Sequence, residues 1–122
     1  MATFTKGLLS ATSANDGQAF PVVSSHDTVH TGPSLATSYD EIWIYASNAS
    51  ASDVTLTIGW GANPSSDDDL EIVMVVTAKT GYHMLIPGLI LKGNASTALI
   101  VTAYASATNA VNLTGYVNHI VA

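Results

Sequence analysis

The chain has 122 residues, no cysteine and no arginine, and a net charge of −6. This length suits one domain with a single core, and the lack of cysteine excludes disulfides, cysteine-bound zinc and thiol catalysis. Nucleic-acid binding needs clustered lysine and arginine to neutralise phosphates. We therefore exclude nucleic acid as a partner and expect no membrane partner either.

The composition is unusual in its scarcity of charge. Apolar residues make up 48% of the chain and charged residues 10%, whereas about a quarter is usual for charged residues. Serine, threonine, alanine and asparagine replace them, and short side chains lose little conformational entropy when a neighbour buries them. This pattern favours a subunit that packs into an assembly. The alternative is an ordinary domain with a weakly charged surface.

The amino terminus reads MATFTKGLLSATSAN, and its apolar run is too short for a signal peptide. No stretch approaches the length of a membrane span. We therefore expect synthesis in the cytoplasm as a soluble protein. Residues 1–15 are predicted to form an amino-terminal arm or an edge strand, and residues 16–122 a β-domain.

The first predicted strands are short. Residues 4–9 suit an edge strand or an arm, and a second β-region follows at residues 20–23 and 28–30. Pro21 marks an edge or the start of a strand, because proline cannot donate to the ladder. Residues 40–47 form the next predicted strand and are apolar on both faces.

The most regular stretch comes next in the chain. Within residues 54–60 the apolar side chains occupy every second position, namely Val54, Leu56, Ile58 and Trp60. A period of two places them on one face of a sheet. Residues 70–76 are predicted as a strand with two apolar faces, and the TAKTG segment at residues 77–81 as a hairpin loop.

The remaining predicted strands lie at residues 82–86, 98–104 and 113–121. Pro87 and Gly88 are predicted to stop the first of these in a turn, and residues 89–91 resume it after a kink. Short strands with frequent turns and without a credible helix predict an all-β fold. We expect a single-domain antiparallel β-sandwich of about eight strands, with a jelly roll favoured over an immunoglobulin-like sandwich.

The most conspicuous polar cluster is an acidic loop that holds Asp67, Asp68 and Asp69. Calcium prefers several carboxylate and carbonyl oxygens as ligands, so a calcium site is one interpretation of this loop. The spacing is not that of an EF-hand. The other interpretation is a solvated loop, and we expect the protein to need no cofactor.

The sequence does not indicate a catalytic site. No serine lies in a GxSxG motif. Asp40 and Glu41 are adjacent, so they point to opposite faces of a strand and do not form an acid–base pair. His26 and His30 are predicted to share one face at about 13 Å, which is too far apart to share one metal. We therefore predict a protein that is not an enzyme.

Strands with two apolar faces carry more apolar surface than one core of this size needs. Such a surplus usually belongs to a subunit interface. Our candidate oligomer interface consists of Trp43, Tyr45, Val73 and Val75. The aromatic residues could instead form a platform on which sugars stack, although core packing and subunit contacts are more frequent uses.

The segments YDEIWIYASN, VTLTIGWG, PGL and NLTGYVNHI, which together span residues 39–120, resemble small virion proteins of tailed bacteriophages. Members of that group bind the assembled shell as decoration, or cement, proteins. The resemblance implies a location on the capsid surface of the virion and the major capsid protein as partner. It also implies a homotrimer at quasi-three-fold positions. It brings no catalytic residues with it.

If the chain has this role, its amino-terminal arm is the first candidate for the capsid contact, at Ala2, Thr3, Phe4, Thr5 and Lys6. The arm is polar and weakly patterned, so it could become ordered on binding. One alternative is a carbohydrate- or host-surface-binding module of a head fibre or tail. Another is a different minor subunit of the virion.

Overall fold

The structure is a computed structural model that describes residues 2–10, 16–62 and 70–122. These ranges contain nine strands and no helix. The strands are β1 (Thr3–Leu8), β2 (Phe20–Pro21), β3 (Asp27–Thr31), β4 (Ser38–Asn48), β5 (Val54–Ala62), β6 (Glu71–Val76), β7 (His83–Lys92), β8 (Ile100–Ala105) and β9 (Val111–Val121). The prediction of an all-β fold is confirmed.

The strands form two antiparallel sheets. Sheet A has the order β1-β9-β4-β7, and β2 pairs with β9 on the edge that β1 also uses. Sheet B has the order β3-β8-β5-β6. The predicted sandwich is therefore present, and its two sheets contain five and four strands.

The pairing of the strands is nested along the chain. β5 pairs with β6, β4 with β7, β3 with β8, and both β1 and β2 with β9. The pairs β4–β9 and β5–β8 then complete the two sheets. A long hairpin of strand pairs that is rolled up in this way is a jelly roll. The preference for a jelly roll over an immunoglobulin-like sandwich is thus confirmed.

The core lies between the two sheets and follows from the alternation of side chains. On β4 every second residue is buried, including Ile42 and Ile44, and on β5 Leu56 and Ile58 are fully buried. Leu9, which directly follows β1, is fully buried as well. The phase of each strand therefore also decides which residues face outward.

The predicted turn at Pro87 and Gly88 is wrong. β7 runs through both residues, and its register against β4 shifts between Ile42 and Trp43 and again between Ile44 and Tyr45. Gly88 has a φ of 77°, and a Cβ there would lie 2.8 Å from Cζ2 of Trp43. The dipeptide therefore forms a bulge that accommodates an indole ring, and the strand continues past it.

The predicted hairpin at residues 77–81 is also wrong. This loop leaves β6 in sheet B and enters β7 in sheet A, so it crosses between the sheets. Lys79 N–H donates to the carbonyl of Asn48, and Asp53 accepts from the Ala78 N–H. A glycine-containing loop of hairpin length does not reveal whether the next strand joins the same sheet.

Candidate functional site

The outer faces of the two sheets differ in chemistry. Sheet A presents aromatic and aliphatic side chains from four adjacent strands, which we call the aromatic face. Its members are Phe4 and Leu8 on β1, Tyr116 and Ile120 on β9, Tyr39, Trp43 and Tyr45 on β4, and Met84 and Ile90 on β7. Phe4 is 72% exposed, Met84 55% and Ile90 53%. The expected surplus of apolar surface is therefore present, and much of it lies on one face.

Trp43 lies at the centre of the aromatic face and is fixed from several sides. Its ring stacks on Tyr116 with 5.9 Å between centroids and 13° between planes. Its Nε1 donates to Glu41 Oε1 at 2.8 Å. The Lys6 Nζ lies 4.5 Å from the centroid of the Tyr116 ring, which is the geometry of a cation–π contact. Ordered aromatic side chains of this kind lose little entropy when a partner covers them.

The charges on the aromatic face are engaged with its own residues. Glu41 accepts hydrogen bonds from Trp43 and from Asn118 Nδ2 at 2.9 Å, and these bonds lower the pKa of the Glu41 carboxyl. Lys92 Nζ lies 5.8 Å from the ring centroid of Tyr39. The face is thus apolar in its middle and carries paired polar groups between its aromatic rings.

A cleft of about 360 Å³ opens on this face. Its lining consists of Tyr45, Tyr82, Thr114, Gly115 and Tyr116. Tyr45 and Tyr82 meet edge to face at 6.4 Å. Gly115 has no room for a side chain, because a Cβ there would collide with the carbonyl oxygen of Trp43. The floor of the cleft is therefore bare backbone between aromatic walls, and its volume falls within the range of small-ligand sites.

The outer face of sheet B is mostly polar. Cross-strand pairing places four threonines on it, namely Thr28, Thr55, Thr57 and Thr102. Tyr104 OH donates to Glu71 Oε2 at 3.1 Å, and the ring of His26 meets that of Tyr104 edge to face at 4.4 Å. Val73 and Val75, each 62% exposed, are apolar residues of this face and lie on the edge strand β6.

The four residues of the candidate oligomer interface lie on two separate surfaces. Trp43 and Tyr45 belong to the aromatic face of sheet A, whereas Val73 and Val75 lie on the outer side of sheet B. The body of the sandwich separates the two pairs. A contact between two copies through these residues must therefore use the same pair on both copies. Otherwise it must bring the aromatic face of one copy against the outer side of sheet B of the next.

The residues proposed for the capsid contact, Ala2 to Lys6, are all exposed. From Thr3 onward they belong to β1, which pairs with β9 from Thr3 opposite Val121 to Leu8 opposite Tyr116. Phe4 and Lys6 point to the aromatic face. This segment is therefore an edge strand that is already ordered. The predicted domain boundary after residue 15 lies outside the described residues.

A second cluster is centred on Asp40. The side chains of Asp40 and His30 are buried, whereas that of His119 is 42% exposed. Asp40 is 5% exposed and accepts from His30 Nε2 at 2.7 Å and from His119 Nδ1 at 2.6 Å. Burial raises the pKa of the Asp40 carboxyl, but the hydrogen bonds from His30 and His119, together with their electrostatic interaction with the carboxyl, outweigh it and hold the pKa below its usual value. The cluster joins sheet A to β3 of sheet B.

Ser10 extends this cluster towards the end of β1. Its Oγ lies 2.6 Å from His30 Nδ1 and accepts from the Thr31 N–H at 2.8 Å, while the Ser10 N–H also donates to His30 Nδ1 at 3.1 Å. Serine, histidine and aspartate in series have the spacing of a hydrolytic triad. Here, however, the serine oxygen accepts from the Thr31 N–H, and the imidazole Nδ1 accepts from the Ser10 N–H. The array therefore fastens the end of β1 to β3.

Sequence reasoning placed Asp40 and Glu41 on opposite faces, which is confirmed, but it missed the cluster. The alternation along β4 could have revealed it, because Asp40 lies on the same inward face as Ile42 and Ile44. A carboxylate at such a position needs donors. The expectation that His26 and His30 share a face is wrong, because the register of β3 shifts between Thr28 and His30 and only His30 becomes buried.

The predicted calcium loop at Asp67, Asp68 and Asp69 lies outside the described residues. Within residues 2–10, 16–62 and 70–122, no group of three or more His, Cys, Asp or Glu side chains is placed to hold a metal ion. The same ranges contain no helix long and apolar enough to cross a membrane.

No protein-family model matches this chain, and no curated protein matches it significantly. One solved structure, described as "Bacillus endospore appendages form a novel family of disulfide-linked pili", is similar with a TM-score of 0.51. The identity is 8%, and the match covers 98% of this chain and 88% of that chain. At this identity the likeness shows the fold alone. It gives the phage resemblance no support, and a chain without cysteine cannot form the disulfides of that description.

Proposed function

We propose that the protein is a non-enzymatic structural subunit that docks onto a larger assembly through the aromatic face of sheet A. The observation that carries this proposal is the contrast between the two outer faces, one aromatic and aliphatic on four strands and the other rich in threonine. Docking surfaces are enriched in tryptophan, tyrosine and methionine at their centres. Trp43, Tyr45 and Met84 supply all three of these residue types.

The assembly we propose is the capsid of a tailed bacteriophage, with the major capsid protein as partner and the capsid surface of the virion as location. The sequence resemblance supports this identification, and viral capsid proteins are among the known uses of the jelly roll. Phe4 and Lys6 of the candidate capsid contact lie on the aromatic face. The arm and the face would then act as one docking surface.

On such a shell the protein would act passively as a clamp. A homotrimer at a quasi-three-fold position would touch several capsid subunits at once, and linked weak contacts gain avidity through their effective concentration. The shell would thereby resist the internal pressure of packaged DNA. A protein that is monomeric by light scattering at micromolar concentration would contradict the trimer. Long open polymers would instead indicate an appendage subunit.

The test of docking uses expanded capsids, the purified protein and two matched variants. Ile90→Glu places a charge on the aromatic face, where the side chain is 53% exposed. Leu35→Glu places the same charge at a side chain that is 63% exposed but lies in the loop before β4. We expect wild type and Leu35→Glu to co-sediment at a fixed number per shell. Ile90→Glu should bind at least about tenfold more weakly, which corresponds to about 1.4 kcal/mol.

Absence of saturable binding by the wild-type protein would overturn the decoration role. Equal binding of Ile90→Glu and wild type would leave that role in place but move the contact away from the aromatic face. A rise in the heat resistance of the shell on saturation would support the clamp mechanism.

A second candidate function is binding of carbohydrate on a host surface, and the aromatic cleft favours it. Tyr45, Tyr82 and Tyr116 offer ring faces beside the bare floor at Gly115. The measurement is binding to a glycan array by wild type and by Tyr82→Ala, whose side chain is 68% exposed and so contributes little to the core. Binding that Tyr82→Ala loses would establish this function. If a chelator also abolished glycan binding by the wild-type protein, that result would support a calcium site at Asp67 to Asp69.

A further inference from the structure

The edge strands of the two sheets are unequally protected. An edge presents a row of unpaired N–H and C=O groups to any other strand, and proteins interrupt such rows with bulges, proline or lysine. Among the described residues, β7 contains Pro87 and two register shifts, and β3 contains one register shift. β1 is regular but carries Lys6 near its middle. Three of the four outer edges therefore have a protecting feature.

The fourth edge, β6, has none of these features. Its six residues, EIVMVV, pair with β5 without a register shift from Glu71 opposite Gly59 to Val76 opposite Val54. The strand contains no proline, glycine or lysine, and Glu71 at its start is its one charged residue. The side chains of Val73 and Val75 are both 62% exposed. Such a strand is a template for pairing with another strand.

The backbone of β6 shows which groups are available for that pairing. The Trp60 N–H donates to the Leu70 carbonyl at 2.8 Å. Hydrogen-bonded pairs recur at every second residue of an antiparallel ladder. Ile72 and Met74 therefore direct their N–H and C=O groups towards β5, and Glu71, Val73 and Val75 direct theirs outward. Within the described part of the chain, β5 is the one strand that pairs with β6.

We infer that β6 pairs antiparallel with β6 of a second copy of this chain across a two-fold axis. The two four-stranded B sheets then form one continuous sheet. With the two-fold axis at Met74, Val73 faces Val75 of the other copy, so the four exposed valines pack side by side, and Glu71 faces Thr77 instead of another Glu71. The occupant is a second copy because the other three edges of the molecule are protected, which leaves β6 as the best complement to itself.

This pairing is a contact between copies that goes beyond the proposed function, and it rests neither on docking nor on the trimer. If sheet A lies flat on a partner, the sheet edges point sideways, and copies on the same surface can meet edge to edge. A two-fold contact adds copies in pairs. The assembly in solution should therefore contain an even number of chains. A pair of trimers would agree with the proposed homotrimer, whereas a dimer would contradict the trimer and leave the pairing of β6 in place.

The test compares Val75→Lys with Thr55→Lys. Val75 and Thr55 are directly opposite each other on β6 and β5, so both lysines project from the outer face of sheet B, but only one lies on the edge. Sedimentation equilibrium at about 100 μM should show an even number of chains for wild type and Thr55→Lys. Val75→Lys should show half that mass. A third variant, Val75→Pro, removes an outward N–H without removing a bond to β5, and it should also halve the mass.

Hydrogen exchange provides an independent measurement on the wild-type protein. The amides of Glu71, Val73 and Val75 should be protected at high concentration and lose protection on dilution, while Met74 stays protected throughout. An odd-numbered assembly, an unchanged mass of Val75→Lys, or fast exchange at all three amides would overturn the inference. Capsid binding through the aromatic face could still hold in each of these cases, because the Ile90→Glu comparison tests it separately.

Discussion

At Asp40 a buried carboxylate lies between two imidazoles from different sheets, His30 on β3 and His119 on β9. A charge removed from water is costly unless hydrogen bonds satisfy its oxygens. Each oxygen of Asp40 accepts from one histidine, and Ser10 in turn fixes the His30 ring. One residue thus couples the end of β1 to both sheets.

The first prediction concerns the pH dependence of this cluster. The pKa of Asp40 lies below its ordinary value of 3.8, so the carboxylate stabilises the fold fully above that pH. The stabilisation is lost as the pH falls through the lowered value. Asp40→Asn should lose about 2–3 kcal/mol of unfolding free energy at pH 7, because two hydrogen bonds to a charged acceptor weaken.

Urea denaturation of wild type and Asp40→Asn between neutral pH and acid below 3.8 measures this effect. The gap between the two proteins should narrow in acid. The control is Asp27→Asn, since Asp27 is exposed at the start of β3. A constant gap at all pH values would show that Asp40 stabilises the fold by shape and not by charge.

A second prediction concerns two glycines with similar backbone conformations. Gly88 and Gly81 have φ values of 77° and 82°, so alanine is strained at both. A Cβ at Gly88 would also meet Trp43, whereas nothing lies within 4 Å of one at Gly81. Gly88→Ala should therefore cost about 1–3 kcal/mol more than Gly81→Ala. Urea unfolding measures the difference, and equal losses would mean that the indole moves without cost.

At the scale of elements, the end of β1 combines an exposed strand with a buried anchor. All six residues of β1 are exposed, yet Leu9 immediately after it is fully buried and Ser10 bonds to His30. A deletion through Ser10 would therefore remove core as well as strand. Capsid binding by the arm has to be tested with a shorter deletion.

The third prediction separates these two parts. Deletion of residues 2–6 should leave a protein with one cooperative unfolding transition, because it removes no buried side chain. Leu9→Ala should lower the unfolding free energy by about 2–5 kcal/mol, as expected for a buried leucine. Urea titrations of both variants measure this. Loss of cooperative unfolding in the deletion variant would show that pairing of β1 with β9 is needed for the fold.

The strands show how far the sequence alone can lead. Alternation of apolar residues predicts β5 and β4, because each strand carries its own inward phase. The course of β7 through Pro87 and Gly88 depends on the Trp43 ring of a different strand. Likewise, Asp40 and His119 meet because β4 and β9, which are far apart in the sequence, pair with each other in sheet A. The sequence indicated exposed apolar residues at Trp43 and Val73, but pairing order decides that they lie on different faces.

At the scale of the whole molecule, the surface has few charges and no thiol. With three lysines and nine acidic residues, the proposed contacts between copies would depend mainly on apolar area and backbone hydrogen bonds. Such contacts respond weakly to salt, because screening acts on charges. Because the chain has no cysteine, any assembly that it forms is without disulfide bonds between copies.

The fourth prediction follows from this surface. The assembled mass by sedimentation should be the same with and without a thiol reductant. It should change less than twofold between about 0.05 M and about 1 M sodium chloride. A non-reducing gel should show the monomer alone. Dissociation at high salt would indicate that ion pairs, such as those available to Glu71 or Lys92, hold the copies together.

The nested pairing also determines the order in which the strands can pair during synthesis of the chain. Among the strands of residues 2–10, 16–62 and 70–122, β9 is translated last, yet it lies inside sheet A between β1 and β4. Until β9 leaves the ribosome, β4 has one neighbouring strand in place of two, and β1 and β2 have none. Sheet A is therefore completed only when β9 has emerged, and before that the nascent chain exposes strand edges that β9 later covers. A cell that produces this protein in quantity would depend on chaperones, or on rapid pairing of β9, to keep unfinished copies from pairing with one another.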